Sequence, residues 1–175
     1  MPAQPSTPPS WVLDTNVVLD WLVFDDPRLP PLVARIAAGA ARWVYSPAML
    51  DETLDVVARP EFRRWGEAAM LQSRVDAAYR RHGSCFEAAS APALRCRDGD
   101  DQMFIDLALQ WRCQLLLSRD KALLELARAA RGRGLTIARP AELTVADLPP
   151  LQTDCVRPDQ TISPIPIAIS GSDSS

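Results

Sequence analysis

Two textures alternate along the chain. Short apolar runs, Trp11-Val12-Leu13, Trp43-Val44-Tyr45, Leu115-Leu116-Leu117 within Gln114 to Ser118, and Leu135-Thr136-Ile137-Ala138, lack polar alternation and are too short for helices. That is the pattern of strands buried on both faces of a parallel sheet. Between them lie segments with helical periodicity. The first, Val17 to Phe24, is stopped by Asp25-Asp26-Pro27; the second, Leu32 to Ala38, ends near Gly39, the residue type favoured just past a helix. Ser46-Pro47 supplies a cap and a first-turn proline for a helix that continues through Val57 and breaks at Arg59-Pro60. Glu61 to Arg81 is helical by composition, with a kink at Gly66 and an end at His82-Gly83. A short strand is expected around Cys85-Phe86-Glu87, then a loop through Pro92. The turn Asp98-Gly99-Asp100 precedes an amphipathic helix from Asp101 to Trp111, and Lys121 to Ala130 forms the last helix. Strands alternating with helices, and no internal repeat, predict an α/β fold with a central, mainly parallel sheet flanked by helices.

Composition alters this outline mainly at the ends. Of 16 prolines, four fall in residues 1–10 and five lie from Pro149 onward among Ser and Thr, so both ends read as unstructured tails. The expected division is a tail over 1–10, one folded domain over 11–147 and a Pro/Ser-rich tail over 148–175, in a chain of 175 residues. A net charge of -3 argues against bulk electrostatic attraction to nucleic acid, yet allows a nuclease with a local basic rim. Cys85, Cys96, Cys113 and Cys155 form no Cys-x-x-Cys pair and, with the single His82, no familiar zinc spacing. They read as reduced, mostly buried thiols of a cytoplasmic protein. No apolar stretch approaches the ~20 residues that span a bilayer, and no secretory signal is expected, so no membrane association is predicted.

The chemistry lies in the acids. Asp14 ends the first strand and Asp120 follows the Leu115 to Leu117 strand; either alone is explained as a helix cap worth roughly 0.5 to 2 kcal/mol. Asp101 is harder to explain that way. At 100° per residue it shares an arc with Phe104, Ile105, Ala108 and Trp111, whereas Gln102, Asp106 and Gln110 fall opposite, toward water. A carboxylate on the core side needs hydrogen bonds, a partner or a metal. On the Ser46-Pro47 helix, Met49, Leu50, Thr53, Leu54, Val56 and Val57 form the inner arc, Asp51 and Asp55 face solvent, and Glu52 sits at the border. Four acids at strand tips or on core-facing helix borders would converge at one edge of the sheet. Carboxylates ~4 Å apart repel by about 4 kcal/mol at an effective dielectric near 20, so such a cluster takes up protons or a cation. Oxygen ligands without His or Cys select Mg2+ or Mn2+.

These stretches resemble the PIN-domain nucleases over roughly Val12 to Glu142. Val12-Leu13-Asp14-Thr15-Asn16 looks like that family's first motif and Ser46 to Thr53 like its second. Asp98-Gly99-Asp100-Asp101 with Ile105-Asp106-Leu107-Ala108 looks like the third, and Leu116 to Leu124 like the fourth, with Ser118 where Thr is usual. The resemblance implies a PIN-like three-layer fold and metal-binding acids at Asp14, Glu52, Asp101 and Asp120, supported by Asn16 and Ser118. It further implies hydrolysis of RNA with a divalent metal, leaving a 5'-phosphate and a 3'-hydroxyl, and for many members a toxin role opposed by a protein antitoxin. RNA would then be the substrate, with a homodimer as the assembly to expect. Arg59, Arg63 and Arg64 beyond the Glu52 helix, and Arg119 beside Asp120, are candidate contacts to the RNA backbone. The alternative is a non-catalytic PIN-like module that binds RNA or a partner. A phosphotransfer domain would need a Lys on a late loop and an acidic pair near the first strand, but Lys121 directly follows Asp120 and Asp25-Asp26 lie too far along. A haloacid-dehalogenase-like phosphatase would need Asp-x-Asp where this chain has Asp14-Thr15-Asn16.

Overall fold

The computed structural model describes residues 7–88 and 94–148. The elements run β1 (Ser10–Leu13), α1 (Thr15–Leu22), α2 (Pro30–Ala37), β2 (Arg42–Tyr45), α3 (Pro47–Val57), a 3-10 turn (Pro60–Trp65), α4 (Ala68–His82), β3 (Gly83–Cys85), α5 (Gln102–Gln110), β4 (Leu115–Leu117), α6 (Lys121–Glu125), α7 (Ala127–Arg131) and β5 (Thr136–Ala138). Further 3-10 turns follow at Pro140–Glu142 and Val145–Asp147.

The five strands form one sheet in the order β3-β2-β1-β4-β5, and every neighbouring pair is parallel. The chain builds outward from β1 to β3 and then restarts on the other side of β1 with β4. The strand order therefore reverses between β1 and β4, and in open parallel sheets a ligand crevice opens at that point, beyond the carboxyl ends of the strands. Leu13 is in register with Leu117, and Leu117 with Ala138, so Asp14, Ser118 and Arg139 follow three adjacent strand tips at one edge.

The core explains why the apolar runs become strands. Val12, Trp43, Val44, Leu116 and Leu117 are at most 1% exposed, covered on both faces by helices that contribute Val17, Val18, Met49, Val75, Ile105 and Leu123. Tyr79 of α4 packs against Trp43 at 4.4 Å and edge-on to Tyr45 at 4.7 Å. Gly83 is required where β3 passes this cluster. A Cβ there would lie 2.6 Å from a Tyr45 ring carbon and 2.8 Å from the Tyr79 carbonyl oxygen.

Several boundaries differ from the sequence expectation. Glu61 to Arg81 is not one kinked helix. Gly66, at φ 155°, separates the 3-10 turn from α4, in a conformation that L side chains rarely adopt. The third strand lies at Gly83–Cys85 rather than around Cys85 to Glu87, because the steric demand at Gly83 sets where the chain meets β2. The last helix divides at Leu126 into α6 and α7. Ser46 occupies the cap position of α3, but its buried hydroxyl makes no hydrogen bond among the described residues; its backbone N–H meets the Met49 sulfur instead. Ser10 already belongs to β1, and Leu148 packs into the core cluster. Residues 1–6 and 149–175, which hold most of the two expected tails, and 89–93, which include Pro92, lie outside the described residues. Cys113 is buried, but Cys85 is exposed and Cys96 intermediate, so the expectation of mostly buried thiols holds for one of the three described. Among the described residues no helix is long and apolar enough to cross a membrane.

Candidate functional site

Asp14 directly follows β1, and its backbone N–H donates to the Leu117 carbonyl at 2.9 Å, which sets the acid against the tip of β4. The residue is 2% exposed. Ser118 Oγ donates to Asp14 Oδ2 at 2.6 Å, and the Asn16 backbone N–H donates to Oδ1 at 3.4 Å. Burial pushes the Asp14 carboxyl above the ordinary range. Hydrogen bonds from Ser118 and from the backbone and side chain of Asn16 oppose this, and like charge on Asp120 adds to it. Asp14 thus caps α1, as the simplest reading of its position allows, but it does so inside a field of other acids.

Ser118 serves two acids at once, since its Oγ also accepts from the Asp120 backbone N–H at 2.8 Å. Asp120 caps α6 through a bond from the Ala122 N–H to Oδ1 at 2.6 Å. Asp101, at the start of α5, is pushed up to about 7, first by burial, then by repulsion from Asp120 and Asp14, by a hydrogen bond shared with Asp120 and by Asp98. Glu52 projects from α3 and is held by Thr15, whose Oγ1 donates to Oε2 at 2.7 Å. Its carboxyl is raised, chiefly by burial; Thr15 and Arg59 oppose this, while Asp14 and Asp100 reinforce it.

The four predicted acids therefore act on one another across a single edge of the sheet. Among the described residues, no three His, Cys, Asp or Glu side chains are set closely enough to hold a metal ion as they stand. The chemistry of the donor set nevertheless fits a hard divalent cation. All donors are carboxylates, and no basic side chain is among the chief influences on Asp14 or Asp101. Burial, with repulsion from Asp120 and Asp14, makes the Asp101 carboxyl hold its proton to higher pH, the other means of relieving charge among carboxylates.

Of the supporting residues, Ser118 is fully buried and central, whereas Asn16 is exposed and bonds mainly through its backbone. Among the predicted basic residues, Arg59 is close enough to act on Glu52. Arg63 and Arg64 are exposed on the 3-10 turn, with Arg64 lying 3.7 Å over the Trp65 ring. Arg119 is engaged by another acid, its Nη1 donating to both carboxylate oxygens of Asp20 at 2.6 Å.

Asp106 corrects the helical-wheel reading. It is only 9% exposed, not turned to water, and Gln102 Nε2 donates to its Oδ1 at 2.8 Å. Gln102 also accepts from the Cys96 N–H and donates to the Leu94 carbonyl, both at 2.8 Å. The segment before α5 thus covers the face that the wheel assigned to solvent. Two residues were missed. Thr15 orients Glu52, and the buried Asp20 anchors Arg119; an acid inside the apolar run Val17 to Leu22 was the available signal for the second.

Residues 10–122 match a protein-family model described as PIN domain. No curated protein matches the chain.

Proposed function

Because the chain belongs to the PIN-domain family, whose members are in general nucleases, we propose that it is a divalent-metal-dependent endoribonuclease. The observation that carries this reading is the buried Asp14 at the strand-order reversal, fixed by Ser118 at 2.6 Å and coupled electrostatically to Asp120, Asp101 and Glu52. Asp14, Glu52, Asp101 and Asp120 would hold Mg2+ or Mn2+. When bound, that ion would activate water and offset charge on the scissile phosphate.

The chain's own residues do the rest. Ser118 orients Asp14 and the Asp120 backbone together, so that two acids are set by one hydroxyl. Thr15 orients Glu52 from the turn that carries Asp14, which links α3 to the β1 tip. Asp101, whose carboxyl is raised to about 7, would release its proton on binding a cation. Arg59, Arg63, Arg64 and Arg119 are the basic contacts proposed for the RNA backbone. The same proposal includes a toxin role with a protein antitoxin, a cytoplasmic setting and a homodimer as the assembly to test.

Purified protein incubated with single-stranded and hairpin RNA in Mg2+, Mn2+ or EDTA tests the catalytic reading. Cleavage only with the ion supports it. Calorimetric titration that detects neither ion, together with intact RNA, replaces it with the non-catalytic binding module. Growth arrest on expression, relieved by a neighbouring gene's product, tests the toxin role.

A further inference from the structure

The segment after β4 borders two cavities. One, of ≈ 370 Å³, is lined by Asp120 with Arg97, Asp98, Gly99, Lys121 and Ala122 and belongs to the site already described. The other, of ≈ 340 Å³, takes the preceding residue, Arg119, and adds Arg28, Arg139, Pro140 and Ala141. Its three arginines come from distant parts of the chain: the α1–α2 connection, the tip of β4 and the tip of β5. Because β4 and β5 are neighbours in register, Arg119 and Arg139 stand at the same sheet edge as the acids.

No acid lines this cavity, although each arginine is pinned by one. Arg119 is held by Asp20, Arg28 by Asp26 and Arg139 by Glu142. The arginine side chains remain 50%, 52% and 49% exposed. Among the described residues Arg119 spends only Nη1 on Asp20, and Arg139 only Nη1 of its guanidinium on Glu142, which leaves the Nε and Nη2 donors of both for a ligand. The paired acids offset much of the arginines' charge at long range. What the cavity offers is directed guanidinium donors, held in place beforehand, and planar forks of this kind match phosphate oxygens.

We propose that this cavity receives one internucleotide phosphate of the RNA strand being cut, adjacent to the bond served by Asp120. The inference rests on the nuclease reading for its substrate, while the cavity itself is independent of any metal.

Binding of a labelled single-stranded RNA oligomer, measured in EDTA so that nothing is cut, tests it. Relative to the parent, the double variant Arg28→Gln/Arg139→Gln is expected to bind about tenfold more weakly, and the slope of log affinity against log salt to shrink by about 0.7, the value for one single-strand phosphate contact. Each single variant should give part of that loss, and Arg28→Lys/Arg139→Lys should recover charge without the fork and rescue incompletely. Arg80→Gln on α4, where Arg80 pairs with Asp76, makes the same charge change as either single variant and should leave affinity and slope as in the parent. Parent-like binding by the folded double variant overturns the proposal, as does a loss in Arg80→Gln equal to that of either single variant, which would mean bulk charge alone. Tight binding of inorganic phosphate that leaves RNA binding unaffected also overturns it, in favour of a free-anion site. Cleavage assayed separately in Mg2+ should show a higher KM with kcat unchanged in the double variant. A parent that cuts no RNA sinks the nuclease reading, and the binding measurement still decides the cavity.

Discussion

Ser118 is the residue on which the acid site turns, because one hydroxyl donates to Asp14 and accepts from the Asp120 N–H. Ser118→Ala leaves a buried carboxylate and a backbone N–H without their partner, and removing such a second contact around a metal site typically costs 10- to 100-fold in affinity. Mn2+ titrated calorimetrically onto the variant should show a loss of that size, with Ser118→Thr close to the parent and Asn16→Ala affected far less. A Ser118→Ala variant that binds Mn2+ like the parent would mean that the hydroxyl serves only the helix cap. The acids were legible at this scale, since each follows a strand or borders a helix. Thr15 was not, because its role depends on α3 lying beside the β1 tip, which no local pattern expresses.

At the scale of elements, α5 carries two acids with separate tasks. Asp101 stands in the acid field, while Asp106 is bonded to Gln102, which ties down Leu94 and Cys96. Asp101→Asn is expected to lose RNA cleavage by orders of magnitude with an unchanged or higher Tm, since like-charge repulsion is removed. Asp106→Ala should instead lose about 1–3 kcal/mol in denaturant unfolding, the cost of leaving a buried polar partner unmet. The opposite assignment would show that Asp106 is the site residue. The periodicity that located α5 could not find this difference, because a helical wheel knows nothing of the segment folded over its polar face. Gly83 makes the same point for strands. Gly83→Ala forces a Cβ to within 2.6 Å of Tyr45 and should cost about 1–3 kcal/mol, as overpacking does. A Tyr45→Phe change, which keeps the ring, should not relieve it. Strand runs and their parallel pairing were readable from uninterrupted apolar residues, but the place of β3 was set by this contact with Tyr45 and Tyr79.

For the whole molecule, the acid cluster couples folding to pH. Asp14, Glu52 and Asp101 all have folded-state pKa values raised above the ordinary ones, so the folded protein retains protons that the unfolded chain releases. Their stabilising contribution is complete below the unfolded carboxylate range near pH 4 and is lost as pH rises through the folded values, about 7 for Asp101. Asp26, held by Arg28 down to about 2, and Glu142 and Asp147, also lowered, act in the opposite sense, and only as pH falls below that range. In EDTA, the free energy of unfolding should therefore decline between about pH 5 and 8, by on the order of 1–2 kcal/mol after allowance for solvent screening, and Tm with it. Saturating Mg2+ should abolish the decline, because a ligand that binds only the folded state stabilises it. A flat metal-free profile would remove the mutual repulsion. Whether these acids form one metal-dependent nuclease site is decided by cleavage of labelled RNA by the parent and by Asp14→Asn, each with Mg2+ and with EDTA. Product is expected only for the parent with Mg2+, while both proteins remain folded. Cleavage by the parent in EDTA, or by Asp14→Asn at the parent's rate, would contradict it.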